Sequence, residues 1–324
     1  MKRVVYLVTV IALLLGCSGR REQMSALLDR ADSLNRAYVP MTGGLDSLLL
    51  EAADYYDRHG TPNEQMRAHY LLGCAYRDMG EAPQALQCYQ DAVDCADTLA
   101  SDCDYRQLAR VCGQMAFVFY QQGLYREQLK YGRLSAKYAW EGKDTLAFLM
   151  SKEQDFLAYK GLGLIDSAIM AIEDVAQKYQ DCGMKQNSAI SLGLAIKPLI
   201  DKGNYNKARM YMEIYESKSG RFDSLGNIVA GREIYYGVKG FYYLYTNKYD
   251  SAEYFFLKEL RDGKDFNNQD AGAKGLAELY HRLHYPDSVV KYSMYAYAMS
   301  DSIYARRTTK EVKRIQSTYV SKRV

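Results

Sequence analysis

Behind Lys2 and Arg3 the chain runs apolar and uncharged from residue 4 to residue 16, and no comparable run follows. Beyond it, apolar and small residues return every three or four positions, the period of an amphipathic helix. In "YLLGCAYRDMGEAPQALQCYQDAVDCAD" Leu72, Gly73 and Tyr76 share one helical face. Gly80 breaks that helix, and Ala85, Tyr89 and Ala92 line one face of the next. The same alternation returns with Ala116, Phe119 and Gly123, with Tyr159, Gly163 and Ala168, and with Leu199, Gly203 and Ala208. It returns again with Gly240, Tyr243 and Ala252, and with Ala277, Tyr280 and Val289. The close-packing positions lie 43, 40, 40, 44 and 37 residues apart. No stretch of alternating Val, Ile and Thr suggests a sheet, so the chain is predicted to be all-α.

Start and stop signals support the same division. Asp166-Ser167, Asp250-Ser251 and Asp287-Ser288 stand where second helices should begin, where an Asp caps free N–H groups and suits the helix dipole. Pro83 and Pro286 fall near first-turn positions, whereas Pro198 falls inside a helix, where a kink is expected. Ahead of the first repeat, "QMSALLDRADSLNRAY" and "LDSLLLEAADYYDRHG" read as two helices, turned by Pro40 through Gly44 and stopped by Gly60.

These residues resemble the tetratricopeptide repeat (TPR), a helix–turn–helix unit of about 34 residues. Leu72, Gly73 and Tyr76 match its seventh, eighth and eleventh positions; Ala85, Tyr89 and Ala92 match the twentieth, twenty-fourth and twenty-seventh. Small residues let the two helices approach, and the tyrosines fill the space beside them. The resemblance implies a TPR-type superhelical solenoid of antiparallel helix pairs, with about six repeats over 63–303 and capping helices over 17–62. It also implies a groove lined by the first helices that takes a peptide or protein surface. In this register the groove residues are Arg67, Tyr70, Arg77, Phe117, Tyr120, Lys160, Lys197, Phe241 and Tyr245. They do not match the clamp of Lys, Asn and Arg that some TPR domains use for a C-terminal carboxylate.

The N-terminal run is too short to span a bilayer, which takes about 20 apolar residues, and reads as the core of a secretory leader over 1–16. Leu14-Leu15-Gly16-Cys17 resembles the lipobox of bacterial lipoproteins, which implies cleavage before Cys17 and lipid on its thiol. The expected location is the cell envelope, anchored at the outer membrane. Ser18, Gly19, Arg20 and Arg21 supply no acidic run, which favours the periplasmic face.

Losing Lys2 and Arg3 with the leader takes the net charge from +3 to +1, too balanced for a nucleic-acid partner. Tyrosine dominates the aromatics, with 31 against nine Phe and one Trp, and many of these tyrosines fall at packing positions. Of the cysteines after Cys17, none forms a Cys-x-x-Cys pair. A disulfide between Cys95 and Cys103 across a linker is geometrically possible, with small buried residues the plainer alternative. His281 and His284 stand three apart on a predicted helix without a third ligand nearby, so no metal is expected. No phosphate loop, His-Glu-x-x-His or nucleophile elbow occurs, and neither a cofactor nor catalysis is expected.

The C-terminal segment 304–324 is basic, with seven Lys or Arg against one Glu after residue 305. Thr308, Val312, Ile315 and Tyr319 have a coiled-coil spacing, which would suit a coiled-coil partner; a solvated final helix explains them as well. The mature chain resembles the sensor half of envelope TPR regulators, which continue into a coiled coil, a membrane helix and a signalling module. No second hydrophobic segment follows here. Two expectations result: a lipid-anchored periplasmic scaffold for an envelope protein or peptide, or a signal-input module, a shortened form of such a regulator.

Overall fold

The structure is a computed structural model that describes the backbone of residues 2–41 and 43–302 and the side chains of 19–41 and 43–302. The Cys17 side chain and the basic segment with Thr308, Val312, Ile315 and Tyr319 lie outside the described residues. Among the described residues the fold is all-α: α1 (Lys2–Arg36), α2 (Leu45–His59), α3 (Pro62–Met79), α4 (Ala82–Cys95), α5 (Tyr105–Gln121), α6 (Tyr125–Glu141), α7 (Thr145–Glu153), α8 (Asp155–Gly161), α9 (Ile165–Asp181), α10 (Lys185–Asp201), α11 (Tyr205–Lys218), α12 (Ile234–Tyr245), α13 (Tyr249–Asp262) and α14 (Phe266–Arg282). A further helical stretch runs over 286–302. No helix among the described residues is long and apolar enough to cross a membrane.

Consecutive helices pack as antiparallel pairs in two compact units, one ending at Gln154 and the other beginning at Asp155. In the first unit α1 pairs with α2, α3 with α4 and α5 with α6, and α7 packs on α6. In the second, α8 pairs with α9, α10 with α11 and α12 with α13, while α14 packs on α13 and α12. First helices also meet one another: α3 touches α1 and α5, and α12 touches α10 and α14.

Close approach within a pair depends on missing side chains. A Cβ at Gly73 would stand 2.6 Å from the Tyr89 ring, and one at Gly240 would stand 2.5 Å from Phe256. Tyr89 and Phe256 are both fully buried, so each aromatic fills the hollow that its glycine leaves. The turn inside each pair is equally regular. Gly80, Gly123, Gly163 and Gly203 all take positive φ there, and Asn247 and His284 adopt the same conformation in the two later pairs. His284 is therefore a left-handed turn residue beyond the end of α14. It does not share a helical face with His281.

The capping expectation needs correction. α9 begins at Ile165 and α13 at Tyr249, so Asp166 and Asp250 lie inside the first turn and accept no capping bond. They still complement the helix dipole. Side-chain caps come instead from Thr61, Asp104, Asp144, Asn204 and Asp265. Thr61 forms a reciprocal box: Glu64 N donates to Thr61 Oγ1, and Thr61 N donates to Glu64 Oε2. Pro198 sits within α10, which continues to Asp201. The segment 219–233 between α11 and α12 is held by a bridge between Phe222 and Ile228 and by packing of Phe222 on Tyr215 and Tyr235. Cys74, Cys88, Cys95, Cys103, Cys112 and Cys182 are all free thiols.

Candidate functional site

The first helices of the second unit carry a continuous row of cations and rings. Lys197 on α10 places its Nζ 4.9 Å from the centre of the Phe241 ring on α12. One turn on, Tyr245 lies 5.9 Å from Phe241, and the Arg282 guanidinium of α14 stands 4.9 Å from the Tyr245 ring. Both rings are half-buried. Lys197 pairs with Asp201 and Arg282 with Glu278, each within its own helix. Such part-exposed pairs contribute roughly 0–1 kcal/mol, so an incoming carboxylate can replace either acid at little cost. The Tyr245 hydroxyl donates to Glu278 Oε2 at 3.4 Å. Burial, helped by the Glu278 carboxylate, pushes its phenol up to about 12, which keeps it a neutral donor. The row suits an extended segment that lays apolar side chains on the rings and acidic groups beside Lys197 and Arg282.

Of the sequence candidates, the structure thus brings Lys197, Phe241 and Tyr245 together. Lys160 on α8 is exposed and joins no described contact of this row. In the first unit, Phe117 and Tyr120 on α5 are exposed, and Arg67 on α3 forms an ion pair with Asp29 of α1 at 2.7 Å. Tyr70 and Arg77 are wall rather than ligand surface. Tyr70 is buried, with its hydroxyl accepting from Asn35 Nδ2 at 3.1 Å. Arg77 is held on three sides, donating to Asp78 Oδ1, Asn35 Oδ1 and Gln114 Oε1 at 2.7, 3.0 and 2.7 Å. Arg282 and Glu278 escaped the sequence reading, although a signal was present. Arg282 stands at the same offset from Ala277 as Tyr245 does from Gly240.

No family model matches the chain, and no curated protein does. Solved structures do. The apo form of RapI superposes with a TM-score of 0.63 at 13% identity, over 87% of this chain and 99% of that one. PilF of Pseudomonas aeruginosa gives 0.53 at 14% identity, over 79% of this chain and 99% of its own. A Rap protein complexed with competence and sporulation factor gives 0.52 at 11% identity, over 87% and 81%. At such identities the likeness is one of fold, and the fold is that of a TPR-like repeat protein.

Proposed function

We propose that this chain is a binding scaffold, lipid-anchored at Cys17 and facing the periplasm, whose ligand is another envelope protein or a peptide. The observation that carries the binding role is the row Lys197, Phe241, Tyr245 and Arg282 across three successive first helices. A structurally similar Rap protein that holds competence and sporulation factor lends the reading support. The anchor rests on the basic, apolar and Leu-Leu-Gly-Cys order of the first 17 residues.

Two measurements test the two halves. Photo-crosslinking from the face of α12 in intact cells should give a discrete adduct. Lys197→Glu combined with Arg282→Glu should weaken that capture about tenfold or more, with helical circular dichroism unchanged. Undiminished capture would remove this row as the binding face. For the anchor, metabolic labelling with a fatty-acid analogue should mark the wild type and not Cys17→Ala. Equal labelling of both would refute lipidation at this cysteine.

A further inference from the structure

Three metal-ligating side chains, far apart in sequence, converge in the first unit. Asp57 lies in the last turn of α2, His69 in the middle of α3, and Cys95 is the final residue of α4. One ligand atom from each lies within 4.8 Å of the other two. Because α3 packs against both α2 and α4, three helical backbones rather than a loop fix this convergence. His69 Nε2 is 2.8 Å from Asp57 Oδ1, while its Nδ1 is buried without a partner. An ordinary histidine–carboxylate contact accounts for the first two residues. It leaves unexplained why a half-buried thiol joins them.

We propose that Asp57, His69 and Cys95 form a site for a divalent transition-metal ion of the zinc class, its fourth position taken by water or an exogenous ligand. Thiolate with imidazole is a donor set for zinc-like ions; calcium and magnesium want oxygen donors only. Bonds of about 2.0–2.3 Å set the donors about 3.3–3.8 Å apart. The 2.8 Å contact of Asp57 with His69 would therefore open slightly, which the exposed Asp57 side chain can supply by rotating, and separations as long as 4.8 Å would close by about 1 Å. Charge balances as well, since a dication with one thiolate and one carboxylate is neutral. On binding, the Cys95 thiol releases its proton to water. The imidazole stays neutral by changing tautomer: its one proton leaves Nε2, which frees the lone pair there for the metal, and Nδ1 takes one up from water. That nitrogen lacks a partner in either tautomer, so the exchange adds no new penalty there. Burial, with the Asp57, Asp91 and Asp94 carboxylates, disfavours the bare thiolate. A dication would reverse the effect of those carboxylates.

The test uses the full chain, reduced and stripped with chelator. Cobalt(II) should bind at one ion per chain with a sulfur-to-metal charge-transfer band, and zinc should displace it. Cys95→Ser should abolish the band, while Cys103→Ser and His281→Gln should leave it intact. Asp57→Asn, at an exposed position where folding is not at stake, should weaken zinc binding about a hundredfold or more, as measured by chelator competition. Zinc affinity unchanged in both Cys95→Ser and Asp57→Asn would overturn the proposal, as would a wild-type chain that takes up no cobalt or zinc.

Discussion

Raising the pH from about 5 to about 8 is expected to lower the unfolding free energy by about 4 kcal/mol, and Glu259 is the cause. This residue on α13 is 0% exposed, and neither carboxyl oxygen has a partner. Burial first, and the Asp265 carboxylate second, push its acid up to about 9 from the ordinary 4.5. The unfolded chain sheds this proton near 4.5, whereas the folded chain keeps it until about 9. Between those values the native state holds one proton more, so stability falls by about 1.4 kcal/mol per pH unit and levels off above the folded value. The other shifted groups do not mask the effect. Glu64, Asp223, Asp262 and Asp265 are lowered and titrate below the window. Burial moves Cys88 and Cys112 up to about 12, above it.

Glu259→Met keeps the length of the side chain and removes the acid. Urea unfolding followed by circular dichroism should then lose most of its slope over this pH window, with a gain of about 3 kcal/mol at neutral pH. The same slope in both proteins would show that Glu259 is not held protonated. The position also explains Gly237, whose missing Cβ leaves room on α12 for the carboxyl group. Glu259 thus costs the α12–α13 pair stability near neutral pH although the facing glycine gives it room.

The elements most legible in the sequence were those governed by local sterics. Gly73, Tyr89 and Gly240 were legible as packing positions from their spacing and the repeat register, whereas Phe256, the ring that fills the hollow at Gly240, was not singled out. Lys197, Phe241 and Tyr245 followed from the same register. Helix starts were less legible, because each inner turn is closed by a residue in the left-handed conformation. In the α8–α9 pair Leu164 N bonds back to Tyr159 O beside Gly163, which starts α9 ahead of Asp166. Residues 219–233 registered only as a longer spacing, since their aromatic packing depends on tertiary neighbours. The Asp57, His69 and Cys95 convergence was invisible for a similar reason: its members come from three helices, and no short motif links them. Arg77 is the instructive misreading. Its register is that of a groove residue, but the partners that bury it lie 42 and 37 positions away, in α1 and α5.

Arg77→Met is accordingly expected to cost about 3–5 kcal/mol of stability in the first unit, the usual loss when one member of a buried ionic network is removed. The Arg77 and Asp78 side chains are only 15% and 14% exposed, so neither is compensated by water. Asp78 Oδ2 also accepts from Met41 N at 3.0 Å, which ties the turn after α1 to α3. With Arg77 gone, Asp78 becomes a buried charge without its counter-ion, and Asn35 and Gln114 each lose a donor. Lysine is not a substitute, because one ammonium cannot reproduce a planar fork that reaches three acceptors on different helices. Asp78→Asn on top of Arg77→Met should recover part of the loss, since it removes the stranded charge while keeping an acceptor for Met41. Equilibrium urea unfolding of the single and double variants measures both effects. If Arg77→Met instead left stability intact and abolished partner capture, Arg77 would be a recognition residue after all. The first unit would then bind through the row of first helices that this network joins.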